Sequence, residues 1–284
     1  MRGKLAIILL IVFFANPLAA QELKGTLQQI KNSGKIRIGY RVSEPPMSFT
    51  DKDGNPAGYS IDICKDIVTE VENKIGADVK VEYIPVTAEG RFKALGDNKI
   101  DILCGATTKT LSRSEIVDFT QLTFVTGASL MTLKDNNAFD SGLDGTKIGV
   151  VKGTTTAAEL KKLIRETSTD AEVFLYNSAK ESIDALRQKK IDAFSSDQVV
   201  LMGIASKEKD SMNFVIKPSV FSFEPFALAV RRNDADFRLV ADRVISDLSR
   251  SKRMLEIYDK WIGKFTQTRL PIFNAMIQLN TTPE

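Results

Sequence analysis

A pattern written twice constrains this chain more than any other feature. Ala94-Leu95, three residues, then Lys99-Ile100-Asp101 returns 91 positions later as Ala185-Leu186, three residues, then Lys190-Ile191-Asp192. Each copy ends a helical stretch, turns and enters a short β-type run. Each run opens into a polar loop, Gly105-Ala106-Thr107-Thr108 in one case and Ser195-Ser196-Asp197 in the other. Upstream, Lys35-Ile36-Arg37-Ile38-Gly39 has its counterpart in Lys147-Ile148-Gly149-Val150-Val151. Two echoes in the same order predict paired lobes of similar α/β design, not a short-period solenoid.

Between the echoes the apolar spacing fills in the elements. Residues 60–75 carry apolar side chains at Ile61, Cys64, Ile67, Val68, Val71 and Ile75, a helical stripe, with Ser60 and Gly76 as expected caps. A strand at Val79–Tyr83 and a helix over residues 88–96 follow, an order that implies parallel pairing and right-handed crossovers. Two β-like segments, residues 128–133 and 226–230, are the expected crossings between lobes. The predicted organisation is therefore a leader over 1–20, the first part of lobe one over 21–128, and lobe two with its hinge strands over 129–229. Residues 230–284 return to lobe one with helices from Phe237 to Trp261, and the tail from Pro271 shows no strong pattern.

The leader sets the compartment. Arg2 and Lys4 precede an unbroken apolar run from Leu5 to Ala15, Asn16-Pro17 breaks it, and Leu18-Ala19-Ala20 offers a cleavage site. This reads as a secretory signal peptide, too short for a comfortable membrane span. Its removal takes the formal net charge from +3 to +1, and no Lys/Arg stripe with interleaved aromatics appears, so a nucleic-acid partner is not expected. With no histidine and only two cysteines, zinc sites and histidine-based triads or acid–base pairs are excluded, and no cofactor is implied. Cys64 and Cys104 are an even pair in an exported chain and fall in one predicted lobe, so a disulfide is expected, two buried thiols being the alternative.

Open parallel sheets bind ligands beyond the carboxyl ends of their strands. There lobe one offers Arg41, residues 87–91 with Arg91, and the run from Gly105 to Arg113; lobe two offers Gly153-Thr154-Thr155-Thr156 and Asp197. Backbone carbonyls and threonine hydroxyls suit an ammonium, and a guanidinium fork suits a carboxylate. Thr154 and Thr155 open the helical run from Ala157, where free N–H groups bind anions, or simply cap the helix. Three arginines and one aspartate around a small cleft give a local charge near +2, which favours a ligand with two carboxylates and one ammonium.

Taken together, these segments resemble the periplasmic amino-acid-binding proteins of ABC importers, family 3, and within it the glutamate/aspartate-binding branch. The resemblance spans the mature chain. It rests on Gly58-Tyr59-Ser60-Ile61-Asp62-Ile63 after a Pro-Pro-x-Ser-Phe loop, on Lys99-Ile100-Asp101-Ile102, and on Cys104-Gly105-Ala106-Thr107-Thr108. Arg113, Val117-Asp118-Phe119-Thr120, Gly153-Thr154-Thr155, Asp197, Arg41 and Arg91 complete it. It implies a type II two-lobed fold, each lobe a mostly parallel sheet flanked by helices, with two hinge crossings. It also implies that Arg113 and the Thr154–Thr155 amides hold an α-carboxylate, that Asp197, Thr108 and the Gly105 carbonyl hold an α-ammonium, with Thr107 in the same loop, and that Arg41 and Arg91 meet a side-chain carboxylate. Ala88 and Ala106 depart from the branch, which commonly has serines there, as does the missing histidine of lobe two. The implied protein is a monomeric, non-enzymatic periplasmic receptor that closes on a polar L-amino acid and presents it to a membrane permease. The alternative is a lyase resembling cyclohexadienyl dehydratase, for which only Asp197 and Glu89 offer a general acid or base. A receptor's sensor module would need a second membrane segment, and no later apolar run is long enough.

Overall fold

The computed structural model describes residues 22–136, 138–139, 142–208, 211–266 and 269–284. The expected leader lies outside these described residues. Among them, no helix is long and apolar enough to cross a membrane.

Two five-stranded sheets share one plan. In the first, Lys80–Pro85, Lys35–Tyr40 and Ile102–Cys104 run parallel, and Glu224–Arg231 and Val117–Thr126 complete the sheet in antiparallel register. In the second, Glu172–Tyr176, Lys147–Val151 and Ala193–Asp197 are parallel, and Ala128–Leu133 and Phe214–Ile216 are antiparallel additions. The repeated Lys-Ile-Asp motif does the same job twice. Asp101 accepts the Arg37 N–H and Asp192 accepts the Lys147 N–H, both at 2.8 Å, so each aspartate ties the start of its strand to the neighbouring one. Asp101 is fully buried and held further by the guanidinium groups of Arg37 and Arg231 at 2.7 and 3.0 Å, which compensates its desolvation.

The helix Tyr59–Ile75 packs its apolar stripe on the first sheet and ends at Gly76, whose left-handed φ of 71° lets its N–H reach the Glu72 carbonyl. Ser60 is not the cap. Its buried hydroxyl instead donates to the Gly105 carbonyl at 3.2 Å and fixes the loop after Cys104. The expected disulfide Cys64–Cys104 is present and joins this helix to the end of the strand Ile102–Cys104. The two cysteines are 40 positions apart, and closing a loop of that length contributes about 3–4 kcal/mol in the chain-entropy model.

The first crossing lies directly beside the expected segment 128–133, and the second lies ahead of the expected segment 226–230. The chain passes through Gly127 and returns between Ile216 and Glu224; Ala128–Leu133 and Glu224–Arg231 are strands inside the two sheets. The strand Glu224–Arg231 pairs along Val117–Thr126, so the sheet of lobe one regains the chain before residue 230. Apolar alternation marked the strands that flank the crossings, not the crossings themselves. There the Ala128 N–H donates to Ser222 Oγ at 3.0 Å and the Phe221 N–H to the Ala128 carbonyl at 2.9 Å, holding the two crossings side by side.

The helices Ala235–Arg250 and Arg253–Trp261 pack back on the first lobe. The patternless tail is also ordered there. Pro271–Leu279 is a helix with proline in its first turn, and its buried Phe273, Met276 and Ile277 stand at helical spacing. Phe273 packs in tilted geometry against Tyr258, at 4.5 Å between centroids, and against Phe124, at 5.5 Å, closing an aromatic cluster over the helix Tyr59–Ile75. The apolar positions were visible in sequence, but too few to separate a short docked helix from a coil.

Candidate functional site

The carboxyl ends of the parallel strands in both lobes face one another. A polar cavity between them is lined by Arg41, Glu44, Arg91, Thr108 and Arg113 from lobe one, and by Thr154, Thr155, Ser195, Ser196 and Asp197 from lobe two. The lobes meet around it. The Arg91 guanidinium donates across to the Gly153 carbonyl at 3.3 Å, and Lys152 pairs with Glu89 at 2.9 Å at the rim.

Each guanidinium is positioned by the protein itself. Arg113 Nη1 donates to the Thr108 carbonyl at 2.8 Å, and the group lies over the Phe92 ring at 5.3 Å. Arg91 is buried, also lies over the Phe92 ring at 4.6 Å, and donates to the Ala88 carbonyl. Burial first, and then the positive charges of Arg113 and Arg41, push its pKa down to about 9. Arg41 is engaged differently: its Nη1 lies 2.8 Å from Glu44 Oε1, and both side chains are nearly buried.

Glu224, at the return crossing, joins the lobes. Its Oε2 accepts from Thr108 of lobe one at 2.5 Å and from Thr155 of lobe two at 2.7 Å, while Oε1 accepts from Ser222 at 2.7 Å. Thr154 caps the helix Thr155–Glu166, accepting the Ala157 N–H at 3.2 Å and donating to the Val151 carbonyl at 2.7 Å. Asp197 ends the strand Ala193–Asp197. Burial, then Glu224 and Glu44, raise its pKa well above the usual carboxylate range, with Arg113 opposing them.

Among the described residues, four buried side-chain atoms have no hydrogen-bond partner: Glu44 Oε2, Arg91 Nε, Thr107 Oγ1 and Asp197 Oδ1. Three of the four belong to residues lining this cavity. A buried polar group without a partner costs about 1–3 kcal/mol, so this concentration marks a place prepared for a ligand that brings both donors and acceptors.

Residues 36–264 match the family of bacterial extracellular solute-binding proteins, family 3. The chain belongs to that family. Among family 3 relatives, the L-glutamate/L-aspartate-binding protein of Pseudomonas aeruginosa is 33% identical over 254 residues, covering 88% of this chain and 83% of the relative. The glutamate/aspartate import solute-binding protein of Escherichia coli is 30% identical over 245 residues, covering 86% and 81%. Solved structures of similar fold include the cysteine-binding protein of Campylobacter jejuni, with a TM-score of 0.74, 26% identity and coverage of 88% and 97%. An ancestral amino-acid-binding protein, a precursor of cyclohexadienyl dehydratase, has a TM-score of 0.70 at 25% identity over 84% of this chain and 99% of its own. The fold is the two-lobed type II architecture of periplasmic binding proteins.

Seven of the sequence-derived site residues line the family 3 cavity: Arg41, Arg91, Thr108, Arg113, Thr154, Thr155 and Asp197. Gly105 and Thr107 stand behind it. The Gly105 carbonyl already accepts from Ser60 Oγ and the Thr107 N–H, and the Thr107 carbonyl accepts the Ala227 N–H at 3.0 Å. Glu44 and Glu224 were missed. Each directly precedes a proline at a strand edge, a signal too common to single out, and together they bring the three arginines and Asp197 to formal neutrality instead of the expected +2.

Closure leaves no room at two glycines. A Cβ on Gly153, whose φ is +75°, would lie 2.8 Å from Glu89 Cα; one on Gly203 would lie 2.3 Å from the Pro45 carbonyl oxygen across the lobe junction. Gly203 sits inside the helix Gln198–Lys207, where alanine is the better helix former. Gly203→Ala is therefore expected to weaken ligand affinity about tenfold or more, since overpacking costs roughly 1–3 kcal/mol, while the lobe itself folds as before. Calorimetry decides: equal affinities would mean that Pro45 and Gly203 separate in the bound form.

Proposed function

We propose that the protein is the periplasmic, non-enzymatic receptor of an ABC importer for polar L-amino acids, with glutamate and aspartate the favoured ligands. The observation that carries this reading is the pairing, in one cavity shared by two lobes, of a buried acceptor without a partner on Asp197 with crowded guanidiniums on Arg91 and Arg113. An α-ammonium at Asp197 Oδ1 and an α-carboxylate between Arg113 and the start of the helix Thr155–Glu166 complete these groups. A second carboxylate beside Arg91 offsets the burial, and the repulsion from Arg113 and Arg41, that depress its pKa. The named relatives that bind glutamate and aspartate support the same ligand class. Contacts from both lobes exist only when the lobes are closed, which gives the ligand its differential affinity for the closed form.

For the lyase alternative, Glu89 is unsuited: its side chain is 62% exposed and paired with Lys152 at the rim, outside the cavity. A thermal-shift screen of the common amino acids tests the reading, because ligands that bind only the folded state raise its apparent stability. Glutamate and aspartate should give the largest shifts and lysine and arginine the smallest, since a cationic side chain would be desolvated beside Arg91. A basic or aromatic amino acid giving the largest shift would place the Arg91 side chain outside the ligand's reach and end the acidic assignment.

A further inference from the structure

Glu44 is a feature of this cavity that a dicarboxylic ligand leaves unused. Its side chain is nearly buried, one carboxylate oxygen holds Arg41 at 2.8 Å, and the other has no hydrogen-bond partner. Arg91, which lines the same cavity, carries the complementary defect, a buried Nε–H donor without an acceptor. The charge of Glu44 is felt at both Arg91 and Asp197, so it belongs to the site electrostatically as well as by position.

A side-chain carboxylate satisfies Arg91 and leaves Glu44 Oε2 both unpaired and facing like charge. A side-chain carboxamide has one acceptor oxygen and an NH₂ with two donors, so it can satisfy both defects at once. Arg41 is already engaged by Glu44 Oε1 at 2.8 Å, which leaves the ligand a partly paired guanidinium there. We propose that Glu44 is a specificity-determining residue that extends the ligand class of this site to amino acids with carboxamide side chains, glutamine and asparagine, alongside the acids. This rests on the amino-acid-receptor reading above. Removing the charge of Glu44 while keeping its shape should free Arg41 for the ligand's carboxylate and take away the acceptor for the amide NH₂. Both effects shift preference in one direction, towards the acid.

The experiment is calorimetric titration of the full mature protein and of Glu44→Gln with glutamate and glutamine at one pH and salt concentration, with Glu44→Ala as a second variant should the first fail to fold. The wild type is expected to bind glutamine within about tenfold of glutamate, and Glu44→Gln to widen the gap in favour of glutamate by a further factor of about ten or more. An unchanged ratio in a folded variant overturns the role of Glu44 and leaves the receptor reading intact, as does a wild type that binds glutamate and gives no heat with glutamine. Should neither amino acid, nor any other in the thermal-shift screen, bind the wild type, the receptor reading itself falls and this inference with it.

Discussion

Arg113→Ala is expected to abolish measurable binding of every amino acid, whatever its side chain. The guanidinium is held in place before any ligand arrives, by its bond to the Thr108 carbonyl and its seat over Phe92, so no ordering cost is left to offset its contribution. It stands with the start of the helix Thr155–Glu166 in one cavity, the arrangement that suits a carboxylate common to all amino acids. Burial lowers its pKa, and the negative charges of Glu224 and Asp197 oppose that shift. Truncating one partner of such a buried charge-assisted contact costs roughly 2–5 kcal/mol, or about 30-fold to several-thousandfold in Kd. The loss should be uniform across ligands, in contrast to Arg91→Ala, which removes only a group placed for the side chain. Calorimetry on a variant that keeps its cooperative unfolding checks this, and a loss confined to acidic amino acids would move Arg113 to the side-chain end.

What could be read from the sequence was whatever repeats or follows a strand. The doubled Lys-Ile-Asp motif announced two lobes of one plan because Asp101 and Asp192 each tie two parallel strands together, a requirement that recurs with the architecture. Arg113, Thr155 and Asp197 were accessible for the same reason: the carboxyl ends of parallel strands are where a ligand meets backbone and side chain together. Glu44 and Glu224 were not accessible. Glu224 belongs to a strand 116 residues from Thr108, and only the closed arrangement of lobes brings its carboxylate between Thr108 and Thr155. Glu44 pairs with Arg41 three residues away, yet nothing in a loop of prolines reveals that both will be buried. The crossings misled for a related reason. The apolar alternation of Ala128–Leu133 is the mark of a strand inside a sheet, and the crossings lie just outside such strands, at Gly127 and between Ile216 and Glu224.

Asp197→Asn is expected to cost nearly as much as the loss of Arg113, and it also carries a pH signature. Its Oδ1 is buried without a partner, and burial together with the charges of Glu224 and Glu44 holds its pKa well above the usual carboxylate range. An ammonium placed at that oxygen acts in the opposite sense, joining Arg113 in favouring the ionised form. The carboxyl group therefore has a lower pKa with the ligand than without it, and binding releases a proton wherever Asp197 was protonated. Affinity is at its plateau above the raised pKa and falls as pH drops through it, by at most about tenfold per pH unit for one proton. The asparagine variant keeps the size and one acceptor oxygen but no charge, so it should lose roughly 2–5 kcal/mol above the raised pKa and show no such fall over the same interval. The ligand and the rest of the cavity are common to both proteins, so the ratio of wild-type to Asp197→Asn affinity isolates the one carboxyl group. That ratio should be largest above the raised pKa and shrink as the pH falls through it. If it stays constant, the proton belongs to a neighbouring carboxylate and Asp197 contributes shape alone; if the variant binds as tightly as the wild type at pH 7, the ammonium lies elsewhere in the cavity.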